Sequence, residues 1–446
     1  MSNQRVARLV RRISGTDVSR RWLIGLSLSL VAAASAWLYF QRVLIPYQQS
    51  DALVKQKPRG NLSDLYPRWL GARELLVHNR DPYGDDITRE IQTGYYGRPL
   101  DPTRPNDPKD QQGFAYPIYV VLMLAPTVTL PFPTVQRIVF WLFVVLTTMS
   151  VPLWLGTLRW RLSRAATVVA ILLTLGCFPA IQGLRLQQLT VLVVALIAGA
   201  MYAFTRRRFA LAGILLAMAS IKPQLVFLLI LWLCIWMLGN WRERQRVLWS
   251  LVISMAVLVV AGELLLPGWI TEFRAAMKDY YRYTGGGSSL INGVLPPPWA
   301  RIASIVLVGM VLVFAWRNRR ASEETPAFQW LLCFTLATTL VVIPMFAPYN
   351  QLLLLPGVMM ALRARQQLLR SSHLSRFFCW MTAGSIGFPF LTAACLVMAL
   401  AFLPGTTVQK AWGLPFYPSF AIPITTYGLL LVSRKVFLDR HRAALQ

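Results

Sequence analysis

The chain of 446 residues is 56% apolar, with a mean hydropathy of +0.49 and 16 tryptophans. This excludes a single soluble core, because its repeated apolar runs approach the roughly 18–25 residues that span a bilayer. The net charge of +27 comes from short basic clusters between these runs, which excludes the continuous basic face of a nucleic-acid-binding protein.

Basic clusters predict which loops lie in the cytoplasm, because loops rich in arginine and lysine stay on that side of a membrane. The clusters are Arg5 to Arg21, Arg159 to Arg161, Arg206 to Arg208, Arg242 to Arg246, Arg317 to Arg320, Arg363 to Arg376 and Arg434 to Arg442. The predicted fold is an all-α polytopic membrane protein with both termini inside. About twelve spans then alternate across the bilayer: 23–46, 135–158, 165–181, 187–204, 209–221, 223–239, 247–266, 299–316, 327–345, 350–363, 377–403 and 416–433.

The predicted domain organisation is simple. Residues 1–22 form a basic cytoplasmic N-terminus, and residues 23–446 form one transmembrane domain. The spans 209–221, 223–239 and 350–363 are short, which predicts tilted or broken helices beside a cavity.

The first exterior segment, 47–134, carries most of the acidic side chains. Of the 18 acidic residues in the chain, 10 lie between positions 47 and 113. The remainder of this segment is apolar up to Pro131 and interrupted by prolines, and counting it as a span would put Arg159 outside. We predict juxtamembrane helices lying along the outer surface there, with Tyr116 and Tyr119 near the headgroups.

A second exterior segment, 267–298, contains charged residues and the triglycine stretch Gly285–Gly287, which is typical of a flexible loop. The cysteines and histidines predict no disulfide and no metal site. All five cysteines fall in predicted spans without a Cys-x-x-Cys pair, and His78 is the one histidine outside.

Four motifs follow one another on the predicted outer face. They are Asp64-Leu-Tyr66 with Ala72-Arg-Glu-Leu-Leu76 and Asp81-Pro-Tyr83; Phe114-Ala-Tyr116-Pro117 with Leu124-Ala-Pro126 and Leu130-Pro131; Leu186-Gln-Gln-Leu-Thr190; and Leu211-Ala-Gly-Ile-Leu-Leu-Ala217 with Ile221-Lys222-Pro223. Together they resemble glycosyltransferase family 87, the polyprenyl-phosphate-mannose-dependent group of the GT-C superfamily. Ile118 replaces a second proline of the family pattern, and Gln187 replaces its usual glycine.

The resemblance implies a GT-C fold and an inverting transfer of a sugar at the outer face of the inner membrane. The implied donor is a polyprenyl-phosphate sugar, with mannose first and another hexose or arabinofuranose next. The implied acceptor is a lipid-linked or cell-envelope glycan. The resemblance implies no metal or other cofactor, and the partners are membrane lipids and these two substrates.

Asp64 is the predicted general base. It lies just outside the first span, between Leu62 and the cluster that ends at Trp69, where partial desolvation increases basicity. The family motif also has its aspartate at this position. The alternative is that Ser63 or Asp64 caps the helix that begins near Pro67.

Arg185, Lys222 and Arg68 are the predicted ligands of the donor phosphate. The first two are cations at the outer ends of apolar helices, and intramembrane charges mark functional sites when no partner is evident. The alternative is that both side chains extend to the lipid headgroups. Arg73 is a further candidate, although its position favours a solvated helix face over a role at the phosphate.

Predicted sugar or acceptor contacts come from uncharged side chains at the outer face: Tyr66, Gln188, Tyr349, Asn350 and Gln351. Tyr349, Asn350 and Gln351 lie at a predicted helix start, and the alternative for them is that Asn350 simply caps this helix. Glu263, near the outer end of its span, either pairs with an arginine or faces the cavity.

A transporter or glycolipid flippase of twelve helices is the competing class of function. Such proteins often consist of two related halves. Here the acidic exterior loop occurs once and no half-repeat is visible, which favours the transferase.

Overall fold

The computed structural model describes residues 22–101, 103–284, 289–344 and 346–443. Within these ranges the chain is helical, with turns and loops between the helices and no β-strand. The predicted cytoplasmic N-terminus, except for Trp22, and the triglycine stretch lie outside the described residues.

The α-helices of the described residues are numbered here in chain order. Their bounds are α1 Trp22–Val54, α2 Tyr66–His78, α3 Asp85–Tyr96, α4 Val120–Leu124, α5 Phe132–Thr157, α6 Arg164–Gly176, α7 Phe178–Arg185, α8 Thr190–Thr205, α9 Phe209–Ala219, α10 Pro223–Met237, α11 Trp241–Leu265, α12 Trp269–Thr284, α13 Pro297–Arg317, α14 Pro326–Val342, α15 Leu355–Arg363, α16 Arg365–Ser371, α17 His373–Ala399, α18 Gly405–Gln409, α19 Ala421–Val432 and α20 Arg434–Ala443. A π-helical segment, Phe40–Leu44, interrupts α1, and a 3₁₀ segment, Pro348–Leu354, precedes α15.

Six helical stretches of the described residues are long and apolar enough to cross a bilayer. They are Trp22–Val54, Phe132–Thr157, Pro223–Leu265, Pro297–Arg317, His373–Ala399 and Gly405–Val432. The bent pair of α6 and α7 is a seventh if it is one span. The prediction of a polytopic helical membrane protein is confirmed, whereas length and composition do not support the predicted count of twelve spans.

Breaks and short helices explain the difference in count. α6 and α7 meet at 60°, where Cys177 is extended and Pro179 lies in the first turn of the next helix. The predicted spans 223–239 and 247–266 belong to one apolar stretch of 43 residues. Three other apolar helices, α8, α9 and α14, are only 10–17 residues long.

The centre of the bundle is formed by helices that are apolar on all sides. In α14, 15 of the 17 residues are buried, and in α8 the number is 11 of 16. Such helices stabilise the fold by packing on every face. α9 and α11 approach closely at Gly213, where an added Cβ would lie 2.6 Å from the carbonyl oxygen of Val247. Small residues permit close contact of this kind between membrane helices.

Several basic clusters meet at one end of the bundle. Arg159 pairs with Glu324, and Arg207 pairs with Glu243 and Glu323. Arg244 donates hydrogen bonds to three backbone carbonyls at the same end. The loops after α5, α8, α10 and α13 are therefore neighbours, which is the arrangement that the charge pattern predicts. Which face of the membrane this end occupies stays a prediction.

The apolar stretch that ends at Pro131 contains only short helices and is not among the candidate spans. The prediction for its tyrosines is wrong, because Tyr116 and Tyr119 are only 7% and 4% exposed. The Tyr119 hydroxyl lies 2.9 Å from Ser220 Oγ, and its ring meets that of Trp269 edge to face. The hydroxyl and the ring of Tyr119 thus have partners within the protein.

Candidate active site

The loop before α2 is fixed to the turn after α7. The backbone N–H of Asp64 donates to the Leu186 carbonyl at 2.8 Å, and Ser63 Oγ donates to Gln187 Oε1 at 2.7 Å. Leu62 and Gln187 both have positive φ, at 52° and 47°. Non-glycine residues seldom adopt this conformation, so the surrounding contacts must stabilise it. The tethers place the Asp64 side chain against the start of α8.

The Asp64 carboxylate is held by two donors from distant parts of the chain. Tyr95 donates its hydroxyl to Oδ1 at 2.9 Å, and Gln188 Nε2 donates to Oδ2 at 2.5 Å. Leu65 is the residue that precedes α2, and no side chain caps this helix. The carboxylate of Asp64 is therefore directed toward α3 and α8, which does not fit the capping alternative.

Lys222 lies on the other side of Gln188. Its ammonium donates to Gln188 Oε1 at 2.6 Å and to Thr190 Oγ1 at 2.8 Å. The side chain is only 6% exposed, so it does not extend to the headgroups. Because an ammonium can only donate, it fixes the carbonyl of Gln188 toward Lys222 and the NH₂ toward Asp64. One amide therefore connects the carboxylate to the cation.

Arg68 supplies a second cation close to the first. Its Nη1 donates to the Asp64 carbonyl at 2.8 Å, and its guanidinium lies 4.4 Å from the centre of the Tyr116 ring. Lys222 Nζ lies 5.8 Å from the same ring and 5.3 Å from the Tyr349 ring. The buried Nε of Arg68 has no hydrogen-bond partner among the described residues. A buried N–H group without an acceptor can donate a hydrogen bond to an oxygen of a ligand.

Arg185 ends α7, one residue before the Leu186 carbonyl that accepts from Asp64. Its side chain is half-buried, and no described residue forms a hydrogen bond or an ion pair with it. The structure thus places its backbone at the site, while its side chain stands outside the hydrogen-bond network of Asp64 and Lys222.

The other predicted contacts divide into two groups. Asn350 Oδ1 accepts from Thr190 Oγ1 at 3.1 Å, so Asn350 joins the network together with the Tyr349 ring. Tyr66 instead packs edge to face on Phe132, between α2 and α5. Gln351 donates to the Ser419 carbonyl at 2.8 Å, away from Asp64.

Competing carboxylates are engaged elsewhere. Glu74 Oε2 accepts from Arg80 at 2.8 Å, and exposed Asp81 accepts from the backbone N–H of Tyr83. Glu263 is exposed and accepts from the N–H of Gly268, so it closes the turn after α11. These contacts are local, and none of them involves Gln188 or Lys222.

Sequence reasoning missed Tyr95, and it placed Tyr116 at the membrane surface. Tyr95 is the penultimate residue of α3, whose apolar face shows that the helix is half-buried but not which partner it meets. For Tyr116, the surrounding prolines suggested a surface location. Its place beside two cations requires Arg68 of α2 and Lys222 before α10 to approach the same ring, which no local pattern reveals.

A half-buried carboxylate close to cations and hydroxyl groups, in a bundle of apolar helices, is typical of a membrane enzyme with a polar site at one end. The sequence profile of glycosyltransferase family 87 matches residues 114–344, which is more than half of the chain. The chain belongs to glycosyltransferase family 87, and it is a membrane glycosyltransferase. No curated protein and no solved structure matches it.

The matched region includes Tyr116, Gln188, Thr190 and Lys222 but begins after Asp64. Asp64 is connected to it by the hydrogen bond to Gln188. The family assignment removes the basis for the transporter alternative.

Proposed function

We propose that this glycosyltransferase moves a sugar, mannose in the first instance, from a polyprenyl-phosphate donor to a hydroxyl of a lipid-linked or cell-envelope glycan. Asp64 is the general base, and the reaction inverts the configuration of the sugar. The observation that carries the proposal is the Asp64–Gln188–Lys222 chain of hydrogen bonds, which joins a carboxylate to a buried cation.

The chemistry requires a base and a phosphate site close together. Asp64 takes the proton of the acceptor hydroxyl as its oxygen bonds to the anomeric carbon. The bond from that carbon to the donor phosphate breaks, and its electron pair goes to the phosphate oxygen. A single displacement from the opposite face inverts the sugar. Cations beside the leaving phosphate stabilise the developing charge.

The charge balance of the site favours an anionic ligand. Arg68 and Lys222 approach the same tyrosine ring, and the nearest carboxylate in their hydrogen-bond network is Asp64. Two cations of this kind repel each other in a low dielectric unless an anion lies between them. The unpartnered Nε of Arg68 supports the same ligand, and Arg185, at the end of α7, is the third proposed ligand of the phosphate.

An apolar cavity of about 240 Å³ supports a lipid donor. It is lined by α6, α7, α17 and the segment from Pro348 to Met359, which also carries Tyr349 and Asn350. An isoprenoid chain in this cavity would lie against the segment that carries Tyr349, whose ring is in contact with Lys222.

The proposed orientation puts the site at the periplasmic face of the inner membrane. It depends on the basic clusters at the opposite end, which favour a cytoplasmic location for that end. A polyprenyl-phosphate donor is consistent with a reaction outside the cytoplasm, where nucleotide sugars are absent.

The direct test uses the purified chain in phospholipid nanodiscs. Radiolabelled mannosyl polyprenyl phosphate and a glycolipid extract of the source membranes should yield a labelled glycolipid and free polyprenyl phosphate. GDP-mannose in place of the lipid donor should yield no product. Transfer from GDP-mannose alone would contradict the proposed donor class, and transfer from a different polyprenyl-phosphate sugar would change only the sugar.

A further inference from the structure

A second carboxylate, Asp110, lies near Asp64 and has no role in the mechanism above. Its Oδ2 accepts from Gln112 Nε2 at 2.7 Å, its Oδ1 is buried without a hydrogen-bond partner among the described residues, and the nearby Tyr280 interacts with it electrostatically. Tyr280 belongs to α12, in the second predicted exterior segment. Asp110 and Tyr280 therefore lie close together, although their exterior segments are far apart in the sequence.

Two consecutive tyrosines of α3 fix the relative positions of the two carboxylates. Tyr95 donates to the side chain of Asp64, while Tyr96 donates to the backbone carbonyl of Asp110 at 2.8 Å. Their rings meet edge to face with centroids 4.7 Å apart. The last turn of one helix thus places both aspartates on the same side of the molecule.

The surroundings of Asp110 differ from those of the structural carboxylates nearby. Asp107 pairs with Arg98, Asp101 pairs with Arg104, and Glu74 pairs with Arg80. Within the described part of the chain no lysine or arginine forms an ion pair with Asp110. Burial, together with the negative charge of Asp64, raises the pKa of Asp110. A carboxyl group in this environment contributes little to folding, which favours a role in binding.

The neighbours of Asp110 suit a sugar. Tyr280 is half-buried beside it, and Asp110 acts electrostatically on Tyr96 and on Tyr283. A carboxylate accepts strong hydrogen bonds from vicinal hydroxyl groups, and a tyrosine offers both an apolar ring for the face of a pyranose and a hydroxyl. These groups come from the exterior segments, whereas Lys222 and Arg185 lie at the ends of the apolar helices.

We propose that Asp110 and Tyr280 bind the acceptor sugar, holding its non-reacting hydroxyl groups so that the reacting hydroxyl faces Asp64. The inference rests on the proposed function and deepens it. The ligand class is a hexopyranose with free hydroxyl groups at the end of a glycan or glycolipid. Asp110 binds the acceptor and takes no proton from the reacting oxygen, so its loss should weaken acceptor binding and leave the donor side intact.

The test compares Asp110→Asn and Tyr280→Phe with wild type in nanodiscs. Labelled mannosyl polyprenyl phosphate is the donor, and octyl α-mannopyranoside and a dilution series of the glycolipid extract are the acceptors. The KM for acceptor should rise about tenfold or more in each variant, because a charge-assisted or neutral hydrogen bond to the sugar is lost. The KM for the donor should stay at the wild-type value. The rate of donor hydrolysis, in which water replaces the acceptor hydroxyl and free mannose is released, should also stay unchanged. Asp85→Asn, at an exposed carboxylate in the first turn of α3, is the matched control and should change neither constant.

The outcomes separate this inference from the proposed function. A wild-type chain that transfers to neither acceptor from any polyprenyl-phosphate sugar overturns both. Wild-type transfer with an unchanged acceptor KM in folded Asp110→Asn and Tyr280→Phe overturns the acceptor site alone. A raised donor KM with an unchanged acceptor KM would assign Asp110 to the donor instead, and this also overturns the inference. Elution as a single species in size-exclusion chromatography establishes that each variant is folded.

Discussion

At the scale of single residues, the site depends on the fixed direction of one amide. Gln188 can give its NH₂ to Asp64 only because Lys222 occupies its carbonyl. Tyr95 takes the other carboxylate oxygen. The carboxylate therefore has a defined orientation before any substrate arrives, and such preorganisation is what a base needs to act on a hydroxyl group.

Asp64→Asn tests the base directly. Asparagine keeps the size of the side chain and an oxygen that can accept from Tyr95, but it cannot take a proton. We expect a folded, membrane-inserted protein whose turnover falls by at least about 100-fold. Turnover of the purified variant in nanodiscs checks this, and more than about a tenth of the wild-type rate would remove Asp64 from the role.

The control for that experiment follows from the contacts of the exterior loop. Asp101 and Asp107 look equivalent in the sequence, but the Asp107 side chain is only 2% exposed and pairs with Arg98 at 2.5 Å. It also accepts from the backbone N–H of Asp101. Asp107→Asn would therefore disturb the loop itself, whereas Asp101→Asn should leave turnover nearly unchanged.

Lys222→Gln and Arg185→Gln test the phosphate site. If these side chains contact the leaving phosphate, each change should remove about 2–4 kcal/mol of transition-state stabilisation while the folded yield is preserved. Lys222 is the stronger case, because it is buried and bonded to Gln188. Steady-state kinetics with the polyprenyl-phosphate donor measure the loss, and wild-type constants in both variants would refute the phosphate role.

At the scale of elements, the sequence predicted where helices occur better than how they cross the membrane. Apolar runs and prolines indicated a helix near each predicted span. The bend between α6 and α7 and the 3₁₀ segment before α15 depend on how these segments pack. Hydropathy contains no information about this packing. Asp64, Gln188, Lys222 and Asn350 were each singled out, but the hydrogen bonds that bring them together join residues 34 to 160 positions apart.

The departure of Gln187 from the family pattern now has a physical explanation. Its φ of 47° lies in the left-handed region, which favours the glycine of the pattern. Here the glutamine side chain offsets the backbone strain, since Oε1 accepts from Ser63 and from Gln136. The sequence showed the replacement but not the contacts that make it tolerable.

The crossing of α9 and α11 gives a stability prediction. Gly213→Ala places a Cβ 2.6 Å from the Val247 carbonyl oxygen, so the helices must separate at a cost of about 1–3 kcal/mol. Gly309→Ala in α13 is the matched control, because nothing lies within 4 Å of its added Cβ. Thermal unfolding in nanodiscs should show a lower Tm for the first variant and an equal or higher Tm for the second. Equal Tm values for Gly213→Ala and wild type would contradict the close packing.

At the scale of the whole molecule, the basic loops and the proposed active site lie at opposite ends of the bundle. α8 runs from Thr190, beside Lys222, to the basic turn at Arg206, and α9 returns to the site end. Each short helix therefore connects the proposed phosphate site with the basic loops. If the basic loops lie on one face of the membrane, the proposed phosphate site therefore lies at the opposite face.

Cysteine labelling tests the orientation. Asp86→Cys and Arg319→Cys, each in a variant without native cysteines, place an exposed thiol at the site end and a partly exposed thiol at the basic end. A membrane-impermeant thiol reagent added to intact cells should label the first and spare the second, because arginine-rich loops stay in the cytoplasm. The reverse result would put the site on the cytoplasmic face and contradict the polyprenyl-phosphate reaction at the outer surface.

The tether between Asp64 and Leu186 also bears on biosynthesis. The chain leaves the ribosome from its N-terminus, so the loop with Asp64 is synthesised well before Leu186 and Gln188, which will hold it. It acquires its backbone partner only after α5, α6 and α7 have been synthesised, and its amide partner comes two residues later. A nascent or truncated chain that ends before α7 thus has Asp64 and Tyr95 but lacks Leu186 and Gln188. Such a fragment should be catalytically inert, and the enzyme gains activity only when most of its length has entered the membrane.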